Sequence, residues 1–297
     1  MMPEKDYCLI CQHTSFIRVC IARDHLVSNE EFPVLECEQC GFMFTGEAPE
    51  AGVIDKYYKS SEYISHTGGS GSLTDMLYGI VRKIMLGVKS GTLKRITNKR
   101  NGRLLDIGAG TGHFVSKMQS IGWEAQGIEV SEDARNYALQ VNKAKLASSP
   151  GEIDISSGGF DVVTLWHVLE HIHDPGGYLQ FIHKALNDTG ILAVAVPNIV
   201  SADSKHYRGD WAALDAPRHL WHFNRETLNS LISRYGFSLI RVTIMPFDSL
   251  YVPVLSEKNR KSRFPLLIGM AKGYWFWGLS LFDVTKSSSL TFYFKKV

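Results

Sequence analysis

Leu104-Leu105-Asp106-Ile107-Gly108-Ala109-Gly110-Thr111-Gly112-His113-Phe114 reads as a buried strand, a tight glycine turn and the start of a helix. Glycines at alternate positions permit positive φ and let a ligand lie close against the backbone. The helix start beyond them offers free N–H groups to an anionic group. A turn of this kind is shared by several nucleotide-binding folds, so its surroundings must decide its meaning. From Arg103 onward, short apolar runs alternate with longer amphipathic ones, the pattern of a parallel sheet with helical crossovers. Strands are expected at Arg103–Ile107, Glu124–Glu129, near Ala144–Leu146, Asp161–Leu165, Gly190–Val196, Phe237–Met245 and Leu290–Lys295. The fourth and fifth are almost wholly apolar, as for strands covered on both faces. The fold class is therefore α/β, with a seven-stranded doubly wound sheet.

Two acidic residues sharpen the reading. Asp106 immediately precedes the turn, where a carboxylate suits a positively charged amino-acid moiety rather than a pyrophosphate. Glu129 ends the next strand, where it can accept both hydroxyls of a ribose. Together they favour a methyl donor over a nicotinamide cofactor. With Phe160-Asp161-Val162-Val163 and Val168-Leu169-Glu170-His171-Ile172, the region from Arg103 to the end resembles the class I (Rossmann-like) S-adenosylmethionine-dependent methyltransferases. The resemblance implies S-adenosylmethionine as cofactor, held by Asp106, Gly108, Ala109, Gly110, Gly112, Glu129 and Trp166. It also implies a last strand lying antiparallel between the fifth and sixth. Ala147-Ser148-Ser149-Pro150 lacks the acidic residue common beside adenine, leaving Glu152 and Asp154 as candidates.

Trp166-His167-Val168-Leu169-Glu170-His171 follows the fourth strand, at the carboxyl end where open α/β sheets bind ligands. His167, Glu170 and His171 are candidate catalytic residues, because a hydroxyl acceptor needs a proton acceptor and histidine titrates in the useful range. The stretch resembles ubiquinone-pathway O-methyltransferases, in which three ligand-type residues hold a divalent metal; here the first is His167 rather than glutamate. A long loop, Asp215-Ala216-Pro217-Arg218-His219-Leu220-Trp221-His222-Phe223-Asn224, supplies His219 as a further candidate base, with a loop-anchoring role as its alternative. It resembles loops in methyltransferases of bacterial glycan and natural-product pathways. Among Tyr57, Tyr58 and Tyr63, Tyr58 is expected to close over the cofactor, with interdomain packing the other reading.

The 297 residues suit one large α/β domain and a small appendage, and 44% hydrophobic with 21% charged residues is ordinary globular composition. All five cysteines lie within the first 40 residues. Cys8-Leu9-Ile10-Cys11 and Cys37-Glu38-Gln39-Cys40 are two C-x-x-C knuckles, the donor set for a structural Zn²⁺. Cys20 is spare. A net charge of +2 and the acids between the knuckles speak against nucleic acid as partner, so an RNA methyltransferase is the weaker alternative, beside a non-catalytic S-adenosylmethionine-binding protein. The expected parts are a zinc ribbon at 1–50, a helical connector or lid at 51–101, and the methyltransferase domain at 102–297. An apolar insert at about 257–284 opens with a basic run, Glu257-Lys258-Asn259-Arg260-Lys261-Ser262-Arg263, before the strongly apolar stretch from Phe264 to Phe282. It reads as a flap over the acceptor site, with a dimer surface or a peripheral membrane contact as alternatives. A cytoplasmic enzyme is expected, acting on oxygen, or less readily carbon, of a small-molecule, glycan or lipid-linked acceptor. Composition leaves the oligomeric state open.

Overall fold

The computed structural model describes residues 7–58, 73–155 and 158–297. Tyr63 and the Gly68–Ser72 run lie outside them. Among the described residues, strands β1 (Phe16–Arg23), β2 (Glu31–Cys37) and β3 (Met43–Thr45) lead to helix α1 (Leu73–Thr97). The α/β part then runs β4 (Arg103–Ile107), α2 (His113–Ser120), β5 (Glu124–Ile128), α3 (Glu132–Gln140), β6 (Phe160–Trp166), α4 (Pro175–Ala185) and β7 (Leu186–Pro197). Next come α5 (Ala202–Tyr207), β8 (Trp221–His222), α6 (Arg225–Ser233) and β9 (Phe237–Ile244). Helices α7 (Pro246–Asn259) and α8 (Pro265–Phe282) precede the last strand, β10 (Ser289–Lys296).

The larger sheet has the order β5-β4-β6-β7-β10-β9, so the last strand does fall between the two expected neighbours. The segment expected as a strand near Ala144–Leu146 contracts to one parallel bridge between Ile128 and Ala147. Ala147 N donates to Gly127 O and Glu129 N donates to Ala147 O, both at 2.9 Å. That bridge fills the outer position of the seven expected. The ladder stops there because the chain turns into a 3-10 segment at Pro150–Glu152. β6 and the second half of β7 are buried almost throughout, as their continuous apolar runs require.

The smaller sheet, β1-β2-β3-β8, departs from a self-contained N-terminal ribbon. Its fourth strand comes from the distant loop: Met43 pairs with His222 and Phe44 with Trp221. Phe42, fully buried, stacks on Trp221 with ring centroids 5.8 Å apart and touches Phe223 at 5.6 Å. A module this small cannot bury enough apolar surface alone, and the loop aromatics extend its core.

Two compact units result. One contains the N-terminal module, His167–Pro175 and Val194–Tyr293; the other contains the described residues from α1 to Trp166, Gly176–Ala193 and Phe294–Val297. On α1, within the expected helical connector, Ile80 and Ile84 stay about half exposed at 47% and 49%. The helix instead buries Ser90 and Leu93 near its C-terminal end. Apolar spacing marks a face but does not say which turns of it receive a neighbour.

Candidate active site

The glycine turn closes on backbone bonds of its own unit. Gly108 N and Ala109 N both donate to Ile128 O, at 2.8 and 2.9 Å. Gly110 and Gly112 take φ of +52° and +75°, values that L side chains rarely adopt. Their surroundings differ. A Cβ on Gly112 would meet Ala144 and Ala138 at 2.9 and 3.0 Å, whereas one on Gly110 would meet nothing within 4 Å. Gly112 therefore serves packing, and Gly110 leaves a face of the backbone open.

Glu129 completes this wall. Its Oε2 accepts from Gly110 N and its Oε1 from Ser131 N, each at 2.8 Å. A carboxylate has about four lone-pair sites, so each oxygen retains capacity for a hydroxyl donor. Asp106, buried on β4, accepts from Thr164 Oγ1 of β6 at 2.6 Å. Burial pushes its carboxyl up to about 7, against the lowering effect of Thr164 and Lys89. An unscreened carboxylate of this kind is stabilised by an arriving cation. Trp166, at the end of β6, packs edge-on against Phe114 at 5.5 Å, with Lys89 Nζ 4.2 Å over its ring. Its buried Nε1 donates to none of the described residues. An open glycine face, two acidic groups and an unspent indole donor make a fitting set for a nucleoside bearing a cationic amino-acid tail. Glu152, one of the adenine candidates, accepts instead from Ser148 N at 3.3 Å and from the Ser148 hydroxyl.

A second constellation lies in the other unit. The chain leaves β6 at His167, whose φ of +57° is the left-handed conformation a histidine rarely holds. This turn feeds a short 3-10 segment, Leu169–His171. Ligand atoms of Glu170, His171 and His219 there lie within 4.8 Å of one another. Glu170 is fully buried, and neither carboxylate oxygen receives a hydrogen bond from the described residues. His167 Nδ1 stands 3.4 Å from its Oε1, an ion-pair distance without hydrogen-bond alignment.

His167 stands outside that group of three ligand atoms but pairs with Glu170. Its Nε2 reaches Asp248 at 3.1 Å, so it links Glu170 to Asp248. Burial opposes its charge, but Asp248 first and Glu170 second outweigh that and raise it to about 10. His171 behaves oppositely: burial, and then His219, push it down to about 4. Its Nδ1 lies 3.0 Å from Arg218 O and 3.1 Å from the Tyr58 hydroxyl. His219 Nδ1 lies 2.9 Å from Ala213 O. A carbonyl only accepts, so each ring carries its proton at Nδ1 and leaves a lone pair at Nε2. Two such lone pairs beside an unsolvated carboxylate form an electron-rich set, able to take a proton or hold a cation. Tyr58, expected beside the cofactor, bonds to this histidine set, and Tyr57 is buried in the N-terminal module with its hydroxyl on Glu30.

Sequence reasoning missed the frame that holds these residues. Arg218, almost fully buried, donates to Asp24 from Nη1 and Nη2 at 3.1 Å, to Asp215 from Nε at 3.0 Å, and to Tyr57 O at 2.9 Å. Thr45 Oγ1 donates to His219 O at 2.6 Å, and Leu220 N donates to Glu170 O at 2.8 Å. An arginine directly before His219 was a visible signal, but its partner Asp24 lies 194 residues away.

In the N-terminal module, Cys8 and Cys40 bring their Sγ atoms to 3.5 Å, and Cys11 and Cys37 theirs to 3.4 Å. All four lie within 4.8 Å of one another. Gly41, at φ +69°, turns the second knuckle so that its N–H donates to Cys37 O. Four convergent thiols suit a tetrahedral ion about 2.3 Å from each sulfur. Cys20 stands outside this group.

Comparison with known proteins supplies the family. The chain is 29% identical over 126 residues to a ubiquinone biosynthesis O-methyltransferase of Caulobacter sp. (strain K31), covering 37% of this chain and 50% of that one. It is 28% identical over 162 residues to a protein of the same name from Ruegeria pomeroyi, covering 46% and 62%. The chain thus spans about half the length of the curated relatives it matches. The magnesium protoporphyrin IX methyltransferase of Synechocystis PCC 6803, solved with bound S-adenosylhomocysteine, shares the fold with a TM-score of 0.53. That likeness covers 84% of this chain and 100% of the other at 12% identity. A family model described as a methyltransferase domain matches residues 82–242, more than half of the 297, and the chain belongs to that family.

Proposed function

We propose that the protein transfers a methyl group from S-adenosylmethionine to an oxygen of a hydroxylated small-molecule, glycan or lipid-linked acceptor. The observation that carries the donor is the open Gly110 turn with Glu129 bonded across it and Asp106 buried beneath. S-adenosylmethionine, when bound, supplies an electrophilic methyl group on a sulfonium centre. Glu129 would accept from the ribose hydroxyls with the lone pairs left free by Gly110 and Ser131. Asp106 would meet the cationic amine, and the turn's N–H groups the carboxylate.

Oxygen as the accepting atom is supported by the histidine set and by the names of the O-methyltransferase relatives. An alcohol or phenol must lose its proton as the new bond forms. We assign that proton to His219 Nε2, because the Asp215 carboxylate 3.9 Å away would stabilise the resulting imidazolium. His171, held neutral by burial, would orient the hydroxyl. A second reading rests on the Glu170 carboxylate, which accepts no hydrogen bond from the described residues: the same three side chains would hold a divalent cation that lowers the hydroxyl's pKa. The four cysteines would hold a structural zinc ion, which ties the knuckles together and so supports β3 and the Thr45 bond to His219.

The test has two arms. Calorimetry with S-adenosylmethionine should give one site per chain, and absence of binding would end the proposal. Transfer of labelled methyl to a panel of phenols, glycans and prenylated catechols should then mark an ether oxygen. Transfer only to carbon or RNA would overturn the acceptor assignment. Activity lost in chelator and restored by Mg²⁺, with the cysteine site still loaded, would favour the cation reading over the free base.

A further inference from the structure

Helix α8 uses its two sides very differently. Gly269 and Gly273 press it onto α7: a Cβ on Gly269 would stand 2.4 Å from Cα of Val254, and one on Gly273 3.0 Å from Cα of Leu250. Phe276 and Ser280 continue this buried stripe. The small residues are therefore spent on an intramolecular contact, and the bulky ones point away from it. Leu266, Leu267, Tyr274, Trp275, Leu281 and Phe282 are each more than half exposed, with Trp275 at 67% and Phe282 at 93%. Leu267, Tyr274 and Leu281 repeat every seven residues along one line of the helix. Scattered exposed apolar residues are ordinary, but six large ones on one helix face form a patch that a partner normally covers.

Charge identifies the partner. Between Phe264 and Phe282 the sole charged residue is Lys272, and its Nζ turns inward to Glu257 at 2.7 Å. Just before the helix, Lys258, Lys261 and Arg263 are exposed, while Arg260 pairs with Asp210 at 3.2 Å. No acidic residue occurs from 258 to 282. A second copy docking through this segment would therefore bring cations to cations with no acid in the segment to meet them. An anionic lipid surface meets both features at once, taking the apolar face at the headgroup boundary and the cations at its phosphates. Tyr274 and Trp275 are residue types that favour that boundary. No helix among the described residues is long and apolar enough to cross a membrane.

We propose that α8, with the basic run before it, is a docking face for the surface of an anionic lipid bilayer. Such a face would carry the site to lipid-linked acceptors without spanning the membrane. The test uses the full-length protein and vesicles of phosphatidylcholine with or without phosphatidylglycerol. Co-sedimentation should occur with the anionic vesicles, weaken as salt rises, and be roughly tenfold weaker on phosphatidylcholine alone. A Leu267→Ser, Trp275→Ser, Leu281→Ser variant should lose at least roughly tenfold in vesicle binding while S-adenosylmethionine affinity stays unchanged. A Lys258→Glu, Lys261→Glu, Arg263→Glu variant should lose the preference for anionic lipid. No binding to anionic vesicles, or binding indifferent to the triple serine variant, would overturn the proposal. So would a dimer in sedimentation velocity that the serine variant dissociates.

Discussion

The turn at Gly108–Gly112 comes from one unbroken stretch and the strand that follows it, whereas the set of Glu170, His171 and His219 draws on separated segments. The first is mostly backbone: positive-φ glycines, two N–H bonds to Ile128 O, and a carboxylate bonded to Gly110 N. The second is mostly side chains, kept in place by a buried arginine, a threonine of β3 and the pairing of β3 with β8. A backbone site tolerates change around it, because its geometry is set locally. A side-chain site assembled over long sequence distances fails when any supporting segment shifts.

This contrast sets the expected order of effects. The largest falls on the acceptor side: His219→Ala should lower kcat by roughly 10²–10⁴-fold, with S-adenosylmethionine affinity unchanged by calorimetry. An equal loss of donor binding would show that the two constellations are not separable. Arg218→Met comes next. It strands Asp24 and Asp215 without their shared cation and should destabilise the fold by about 3–5 kcal/mol in a denaturant titration. A change under about 1 kcal/mol would mean that the arginine does not hold the loop.

Asp106→Ala should weaken S-adenosylmethionine by roughly a hundredfold, the loss of a buried charge-assisted contact. Its pH dependence is a gentler probe. With the carboxyl at about 7, the anion needed for a cationic amine forms only above that pH. Affinity should therefore rise through neutrality and level off, and Asp106→Asn should flatten the curve. A wild-type curve already flat from pH about 5 to 9 would remove Asp106 from donor binding.

The smallest effect is on stability with pH. Burial lowers His171 to about 4 and His222 to about 3, while unfolded histidine titrates near 6.5. The unfolded chain thus binds protons that the native chain refuses, and stability falls as pH drops below about 6.5. His167, raised to about 10, contributes most below about 6.5 and loses that contribution as pH climbs toward 10. Denaturant midpoints should peak near neutrality, and His222→Gln should soften the acid side.

The same contrast separates what could be read in advance from what could not. Asp106, the glycine turn, Glu129, Trp166 and the paired cysteine knuckles are short-range patterns, because φ preference, strand alternation and thiol spacing act within a few residues. The strand near Ala144–Leu146 shrank to a bridge because a run that short has no ladder to sustain it, and the exposed faces of α1 and α8 depend on what packs against them. That His219 closes on Glu170 and His171 while His167 bridges Glu170 to Asp248, that Tyr58 bonds to His171, and that Asp24 anchors Arg218 were decided by tertiary structure alone. Each depends on residues brought together over separations from 48 (His171 to His219) to 194 (Asp24 to Arg218), where no local periodicity carries a signal. The family and the glycine turn were therefore legible in local chemistry within the chain; the cluster of Glu170, His171 and His219 forms only because the fold closes those distances.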